Sequence, residues 1–412
     1  MREKSFKIIG WILIVIGLFF NPFVVEWLFS PDGKLDFIWK YFEIAIFNVV
    51  LIIVGISIMK IKTRRKIKVI LRKIRKLLSN KNIQNIFLLI MIIILTILII
   101  ETTFYFLNKE SETKRIIKGN HKYIQFDQER GYKGIPNITT NRAIYFSNGT
   151  TIYNVTYSID EFGRRKNKHT EEPPLILFGG SYTFGEGVED NETLNYHLTN
   201  LTNYDLYNYG LPGTGTQHML ALLEDDNFAE EINKTGGKAI YIFIPNHIRR
   251  VIGNLYIHKK WYAGWTFPYY KLDKNLKLER KGNFKTGKPI TTTIYQILAR
   301  SQLIKYYKID LPKHKEKHTY LTYKIIEKSK EIYEEKFNGT FYVLIHPIHN
   351  DNIKSLELKE LLQENNINIL EYNLTHTNIR KEYKIKGDGH PNAKSNKELA
   401  KNIAESLNPS LK

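Results

Sequence analysis

Ser181 lies in the stretch Pro174-Leu-Ile-Leu-Phe-Gly-Gly-Ser-Tyr-Thr-Phe-Gly-Glu-Gly187, where a side chain able to do chemistry meets a glycine-rich turn. Leu175 to Phe178 form a short apolar run with two prolines before it and two glycines after it, the pattern of a strand buried on both faces of a parallel sheet. Glycines let the backbone turn sharply at the C-terminal end of such a strand, where open α/β sheets bind ligands. A helix is expected from about Glu192. Three chemistries use a glycine-rich strand-turn-helix. A phosphate-binding loop needs a Lys-Ser/Thr pair after the last glycine, and none is present. A dinucleotide fingerprint needs G-x-G-x-x-G, whereas these glycines fall at 179, 180, 185 and 187. The nucleophile elbow G-x-S-x-G fails because Thr183 occupies the place of its last glycine. What is left is Gly-Gly-Ser-Tyr-Thr-Phe-Gly, whose bland alternative is a plain glycine turn carrying a serine.

Three further stretches end apolar runs in the same way: Asn208-Tyr-Gly-Leu-Pro-Gly-Thr-Gly-Thr-Gln217, Ile244-Pro-Asn-His-Ile-Arg-Arg250 and Gly387-Asp-Gly-His-Pro-Asn-Ala393. Each taken singly reads as a turn or a helix cap. Together, and in this order, the four stretches resemble the sequence blocks of the SGNH/GDSL hydrolases. Three departures are visible: Gly180 stands where Asp is usual, His247 where an Asp commonly follows the Asn, and Asp388 and His390 are two apart where D-x-x-H is more frequent. The resemblance covers residues 174–407 and implies a three-layer α/β/α sandwich of flavodoxin-like type with no metal or organic cofactor. It also implies roles. Ser181 would be the nucleophile, His390 its general base, and Asp388 the group that fixes the imidazole tautomer. Gly213 and Ser181 would offer backbone N–H groups, and Asn246 its side-chain amide, to an oxyanion. A metal alternative would use His346, His349 and His390, although His346-Pro-Ile-His349 has no recognised ligand spacing.

The rest of the chain must place these residues. The formal charge of +20 is local: residues 1–59 sum to zero, and 60–82 carry eleven Lys/Arg and no acid. The chain has no cysteine, which excludes disulfides and thiolate metal sites. Apolar stretches at about 8–29, 37–59 and 86–107 each approach the ~20 residues needed to span a bilayer, so residues 1–108 read as a membrane domain with three transmembrane helices. A cleaved signal peptide is the rival for the first, but its apolar run is too long and no small-residue cleavage site follows. The basic loop 60–82 should stay cytoplasmic with the N-terminus, which places the chain after Asn108 outside the cytoplasm. Ile67, Ile70, Leu71, Ile74, Leu77 and Leu78 recur at helical spacing in that loop, as in an amphipathic helix on anionic lipid. Membrane lipid is thus the expected partner of the charge, and nucleic acid is not. Sequons at Asn137, Asn148, Asn154, Asn191, Asn200, Asn233, Asn338 and Asn373 all follow the third span and fit a cell-surface glycoprotein.

Residues 109–170 read as a polar, extracytoplasmic lead-in with β-like pieces at Arg142–Phe146 and Thr151–Ser158. From 171 to 412, apolar runs at Leu175–Phe178, Tyr204–Tyr209, Ala239–Ile244, Phe341–Ile345 and Ile367–Leu370 alternate with helical patterns at Gln217–Ile232, Thr322–Glu335, Leu356–Glu364 and Ala393–Leu407. That alternation predicts an α/β fold with a parallel sheet. An aromatic insertion at about 251–290, with Tyr256, Trp261, Tyr262, Trp265, Phe267, Tyr269 and Tyr270, is either a small subcore or a lid or stacking wall for carbohydrate.

The functional expectation is a membrane-anchored, serine-dependent O-acyl esterase acting on acylated cell-surface glycans or lipid-linked precursors. Transfer of the acyl group to a glycan would instead require a multi-span partner membrane protein to bring the acyl group across. The reading from another class is a surface-assembly protein that binds glycan without turnover.

Overall fold

The computed structural model describes residues 10–17, 46–54, 56, 80–111, 115–118, 122–260, 264–372 and 379–408. The chain divides into two compact units, residues 1–98 and 99–412. In the first, residues 10–17 and 46–54 are helical. They meet at Gly17, where an added Cβ would lie 3.0 Å from Asn48 O and from Ile52 Cγ1. The rest of the expected first two spans, and the basic loop up to residue 79, lie outside the described residues. Helix α1, Lys81–Ser111, follows. Its segment Leu88–Asn108 is long and apolar enough to cross a membrane, one helix among the described residues where three spans were expected.

The second unit opens with short antiparallel strands. β1 (Arg115–Lys118), β4 (Thr139–Phe146) and β5 (Thr151–Ser158) form one sheet, and β2 (Ile124–Asp127) pairs with β3 (Gly131–Gly134). The polar lead-in of the sequence is therefore a folded element. It has its own core, Tyr123, Ile144, Tyr153, Val155, Tyr157 and Ile159, which closes on Phe184.

The main layer then alternates strand and helix: β6 (Pro174–Phe178), α2 (Ser181–Phe184), α3 (Leu194–Leu201), β7 (Asp205–Asn208), α4 (Thr216–Leu223), β8 (Lys238–Phe243) and α5 (Asn246–Ile252). An insertion carries the hairpin β9 (Pro268–Leu272) and β10 (Leu278–Asn283), then α6 (Pro289–Leu298) and α7 (Gln302–Tyr306). The chain returns through α8 (Glu316–Phe337), β11 (Thr340–Ile345), α9 (Ile353–Glu364) and α10 (Ala393–Leu407). The sheet order is β7-β6-β8-β11, with every pair parallel. Beside β11, Val343 bridges Ile369 in parallel, so the run expected at Ile367–Leu370 extends the edge by one bridge. In chain order this is the 2-1-3-4-5 arrangement of flavodoxin-like sheets, whose ligand crevice opens where the strand order reverses, here between β6 and β8.

Alternation along β6 explains the layers. Ile176 and Phe178 face α4, α8 and α9 through Leu223, Ile326, Tyr333 and Leu358, while Leu175 and Leu177 face α3 and α10 through Leu198, Leu399 and Ile403. One difference from sequence expectation has a local cause. The helix expected over Gln217–Ile232 breaks after Leu223, because Asp225 turns its carboxylate onto the backbone N–H of Asn227, an Asx turn that competes with the helix. In the insertion, Phe267 and Tyr270 are buried in hydrophobic clusters with Phe284 and Val251, so these rings form a subcore. Trp261 and Tyr262 lie outside the described residues.

Leu344, on β11, is buried on the sheet face that α10 covers. Leu344→Ala should cost about 2–5 kcal/mol of stability. Denaturant titration of the purified chain should show a lower midpoint with an unchanged slope.

Candidate active site

The five residues of β6 are all buried, and the strand delivers the chain to Gly179, Gly180 and then the first residue of α2, Ser181. Both glycines are closely approached by their surroundings. A Cβ at Gly179 would lie 2.0 Å from Thr183 Oγ1; one at Gly180 would lie 2.8 Å from Arg250 Nη1 and 3.0 Å from His247 Nε2. As the first residue of a helix, Ser181 has a backbone N–H with no intrahelical acceptor. The turn therefore presents hydroxyl and amide together at the C-terminal edge of the sheet.

His390 meets this serine from the loop before α10. Its Nε2 lies 2.8 Å from Ser181 Oγ, and its Nδ1 is hydrogen-bonded to Asp388 Oδ1. The two-residue spacing suffices because Gly387 and Gly389 take φ of +84° and +98°, curling the carboxylate back onto the ring. Asp388 is nearly buried and is held on its other oxygen by Arg115 Nη1 at 3.0 Å, while Arg115 Nη2 donates to Gly387 O at 2.6 Å. Arg115 belongs to β1, so the lead-in completes this group. Burial pushes the Asp388 carboxyl up, but the His390 hydrogen bond and charge, with Arg115, outweigh it and hold the group below the ordinary aspartate range.

Glu186 is a second acid at the imidazole. Its Oε2 lies 3.6 Å from His390 Nε2, and its Oε1 lies 3.6 Å from Arg142 Nη2 of β4. Burial would lower the His390 pKa; the Glu186 charge, followed by the bond to Asp388, more than reverses this and raises it above the ordinary histidine value. The buried Arg165 braces the loop that carries Glu186, donating to Gly185 O at 3.3 Å and to Asp190 Oδ1 at 2.7 Å.

Gly213 lies in the loop after β7 with φ of +89°. Its neighbour Thr214 donates from Oγ1 to Gly179 O at 2.6 Å, tying this loop to the serine turn, and the Thr214 carbonyl accepts from Arg250 Nη1. Asn246 opens α5 at the end of β8 and is exposed, and no hydrogen bond among the described residues joins its side chain to Ser181. The next residue points inward. His247 is fully buried beneath Gly180, its Nδ1 2.7 Å from Tyr241 Oη; burial and the Arg250 charge hold its pKa well below the ordinary value, so it is neutral. The absent aspartate at 180 and the histidine at 247 are thus one arrangement: His247 and Arg250 fill the space that a side chain at 180 would take.

The imidazoles of the metal alternative do not converge on a common point. They surround the Tyr182 ring, whose centroid is 4.9 Å from His346, 5.7 Å from His349 and 5.5 Å from His390. Tyr182 Oη is 3.2 Å from His349 Nε2 and donates to Gly389 O at 3.1 Å. Among the described residues, no group of three or more His, Asp or Glu could hold a metal ion.

Sequence reasoning passed over Arg115, Arg142, Glu186 and Arg250. Glu186 and Arg250 lie inside the singled-out stretches, but no spacing marks them as inward-facing. Arg115 and Arg142 come from the lead-in and reach the site only through the tertiary fold.

No family model matches the chain, and no curated protein is similar to it. Solved structures similar to it include a member of the lipolytic G-D-S-L family from Veillonella parvula, at 16% identity and a TM-score of 0.34 over 56% of this chain and 96% of that one. An acetyl xylan esterase from the rumen bacterium Butyrivibrio proteoclasticus aligns at 12% identity and a TM-score of 0.35, over 68% and 72% of the two chains. An SGNH-hydrolase family esterase aligns at 14% and 0.30, over 60% and 100%.

The geometry sets a pH dependence. A general base at His390 must be neutral, so turnover that runs through this ring should fall as pH drops through a pKa above the ordinary imidazole value. Glu186→Gln removes a negative charge that favours the imidazolium, so the acid limb should move to lower pH. A pH–rate profile of both proteins checks this.

Proposed function

We propose that this chain is a membrane-anchored serine esterase that removes O-acyl groups from glycans or lipid-linked precursors on the outer face of the membrane. The observation that carries the reading is the hydrogen-bonded line from Ser181 Oγ through His390 to Asp388. His390 Nε2 takes the hydroxyl proton as Oγ attacks the ester carbonyl, forming a tetrahedral oxyanion. The Ser181 and Gly213 N–H groups are the proposed donors to that oxygen, with Asn246 at the rim. Collapse expels the alcohol, which receives the proton from His390 and leaves an acyl-serine; water, deprotonated by the same imidazole, then releases the acid. Asp388 stabilises the imidazolium at Nδ1, and Arg115 holds Asp388 in place.

The contact of His390 with both partners favours turnover over binding without chemistry. Anchoring rests on the apolar helix Leu88–Asn108 and, by sequence, on two earlier spans and a cytoplasmic basic loop. The outward placement rests on the positive-inside rule. An acetyl xylan esterase among the similar structures agrees with a carbohydrate ester as substrate. Transfer of the acyl group to a glycan hydroxyl would share the acyl-serine and differ only in the acceptor.

Ser181→Ala should lower ester turnover by the purified chain at least about a thousandfold, as nucleophile removal does in serine hydrolases, with an unchanged melting temperature. Wild-type rates in that variant would show the nucleophile to be another residue.

A further inference from the structure

Helix α6 is apolar on its outward face as well as on its inward one. Ile290, Ile294 and Ile297 recur at i, i+4 and i+7, which is one helix face, and they are 77%, 48% and 64% exposed. The face turned to the protein carries Thr292, whose hydroxyl donates to Phe284 O at 2.7 Å, together with Tyr295 and Leu298, which pack against the cluster of Leu255, Ala299 and Ile304. Scattered exposed apolar residues are ordinary, but a continuous stripe of three isoleucines on the outward face is not what a helix that faces water carries.

The neighbours of this stripe indicate what covers it. Helix α7 follows α6 after three residues and is fastened to the end of the apolar helix α1. Glu101 accepts from the Ser301 hydroxyl at 2.6 Å and from the Gln302 N–H at 2.5 Å, and Asn108 Nδ2 donates to Gln302 O at 2.9 Å. The Phe104 ring lies 5.0 Å from Tyr306 and 5.4 Å from Tyr307, and both tyrosines are exposed. Glu101 is the first charged residue of α1 after Lys81 and lies in the C-terminal part of the span Leu88–Asn108, toward the interface, where tyrosines concentrate in membrane proteins. Basic side chains adjoin the patch. Arg300, Lys305 and Lys308 are exposed, and behind Tyr307 opens a cavity of about 440 Å³ lined by Arg249, Lys308, Lys313, Lys354 and one acid, Asp310.

We propose that the α6–α7 face rests on the surface of an anionic bilayer, with Ile290, Ile294 and Ile297 in the acyl boundary, Tyr306 and Tyr307 at headgroup level, and the lysines against lipid phosphate. This rests on the reading of Leu88–Asn108 as a membrane span. An interfacial helix of this kind binds through apolar burial together with attraction to anionic lipid. It gives the outer domain a second attachment, so that the Ser181 edge is held at a set height over the membrane.

The absence of cysteine permits a direct test. The full chain carrying Ile294→Cys, Leu95→Cys or Lys401→Cys is labelled with an environment-sensitive fluorophore. Each is reconstituted into vesicles of phosphatidylcholine with or without phosphatidylglycerol, with nitroxide on the acyl chains. Lys401, exposed on α10 across the sheet from α8, is the solvent control. The expected result is blue-shifted emission that nitroxide quenches at positions 95 and 294, with stronger quenching at 294 when phosphatidylglycerol is present, and neither effect at 401. Quenching at 95 but not at 294 would overturn the docking and leave the anchor standing. No quenching at 95 would overturn the span and, with it, the basis of the docking. A blue shift at 294 without quenching, joined by disulfide dimers of unlabelled Ile294→Cys, would show that a second copy covers the face and overturn the proposal.

Discussion

The backbone at Gly179 and Gly180 passes through a space where an added side chain would meet its neighbours. Thr183 closes over the first glycine, while Arg250 and His247 press up beneath the second. This close approach puts Ser181 on a tight turn directly off the central strand, and it explains the rest of the neighbourhood. Thr214 can bond to Gly179 O because nothing stands between them, and the Gly213 loop is held beside the serine as a result. Arg250 bonds to the Thr214 carbonyl from below, so a single buried guanidinium supports both loops of the edge. A side chain at 180 would displace that guanidinium and loosen the whole arrangement.

On this rigid floor the electrostatics are arranged around one imidazole. Asp388 holds Nδ1 and Glu186 flanks Nε2, so two carboxylates favour the protonated form of this ring. Their own charges are balanced from the lead-in by Arg115 and Arg142. In a partly buried site such charges are weakly screened, and each would carry a substantial desolvation penalty without its partner. Packing of the lead-in core against Phe184 thus joins stability to function: the element that covers α2 also delivers both arginines.

Much of the fold could be read from local pattern. Leu175–Phe178 is a strand because it is apolar on both faces, and Ala393–Leu407 has the bounds expected from its helical pattern, with Asn392 found to cap its start. Ser181 and Asp388, singled out from their turns, each lie within hydrogen-bond reach of His390. What was not legible depends on long-range contact or on an unusual surround. Nothing local distinguishes Arg115 from the other basic residues of the lead-in, and Glu186 looks like a solvated loop acid until Arg142 and His390 close on it. Asn246 had the expected place after β8, yet the inward residue there is His247, because a helix starting at 246 turns its second residue under Gly180. The isoleucines of α6 show helical period clearly; period does not say which face meets protein, water or lipid.

The central claim is that Ser181 is a nucleophile made reactive by His390. Incubating the full chain with a fluorophosphonate, which phosphonylates activated serines with loss of fluoride, and mapping the adduct by peptide mass spectrometry tests it directly. The account predicts a single adduct on Ser181 in the wild-type chain and its loss in His390→Ala. An unlabelled Ser181, or labelling at the same rate in His390→Ala, would contradict it.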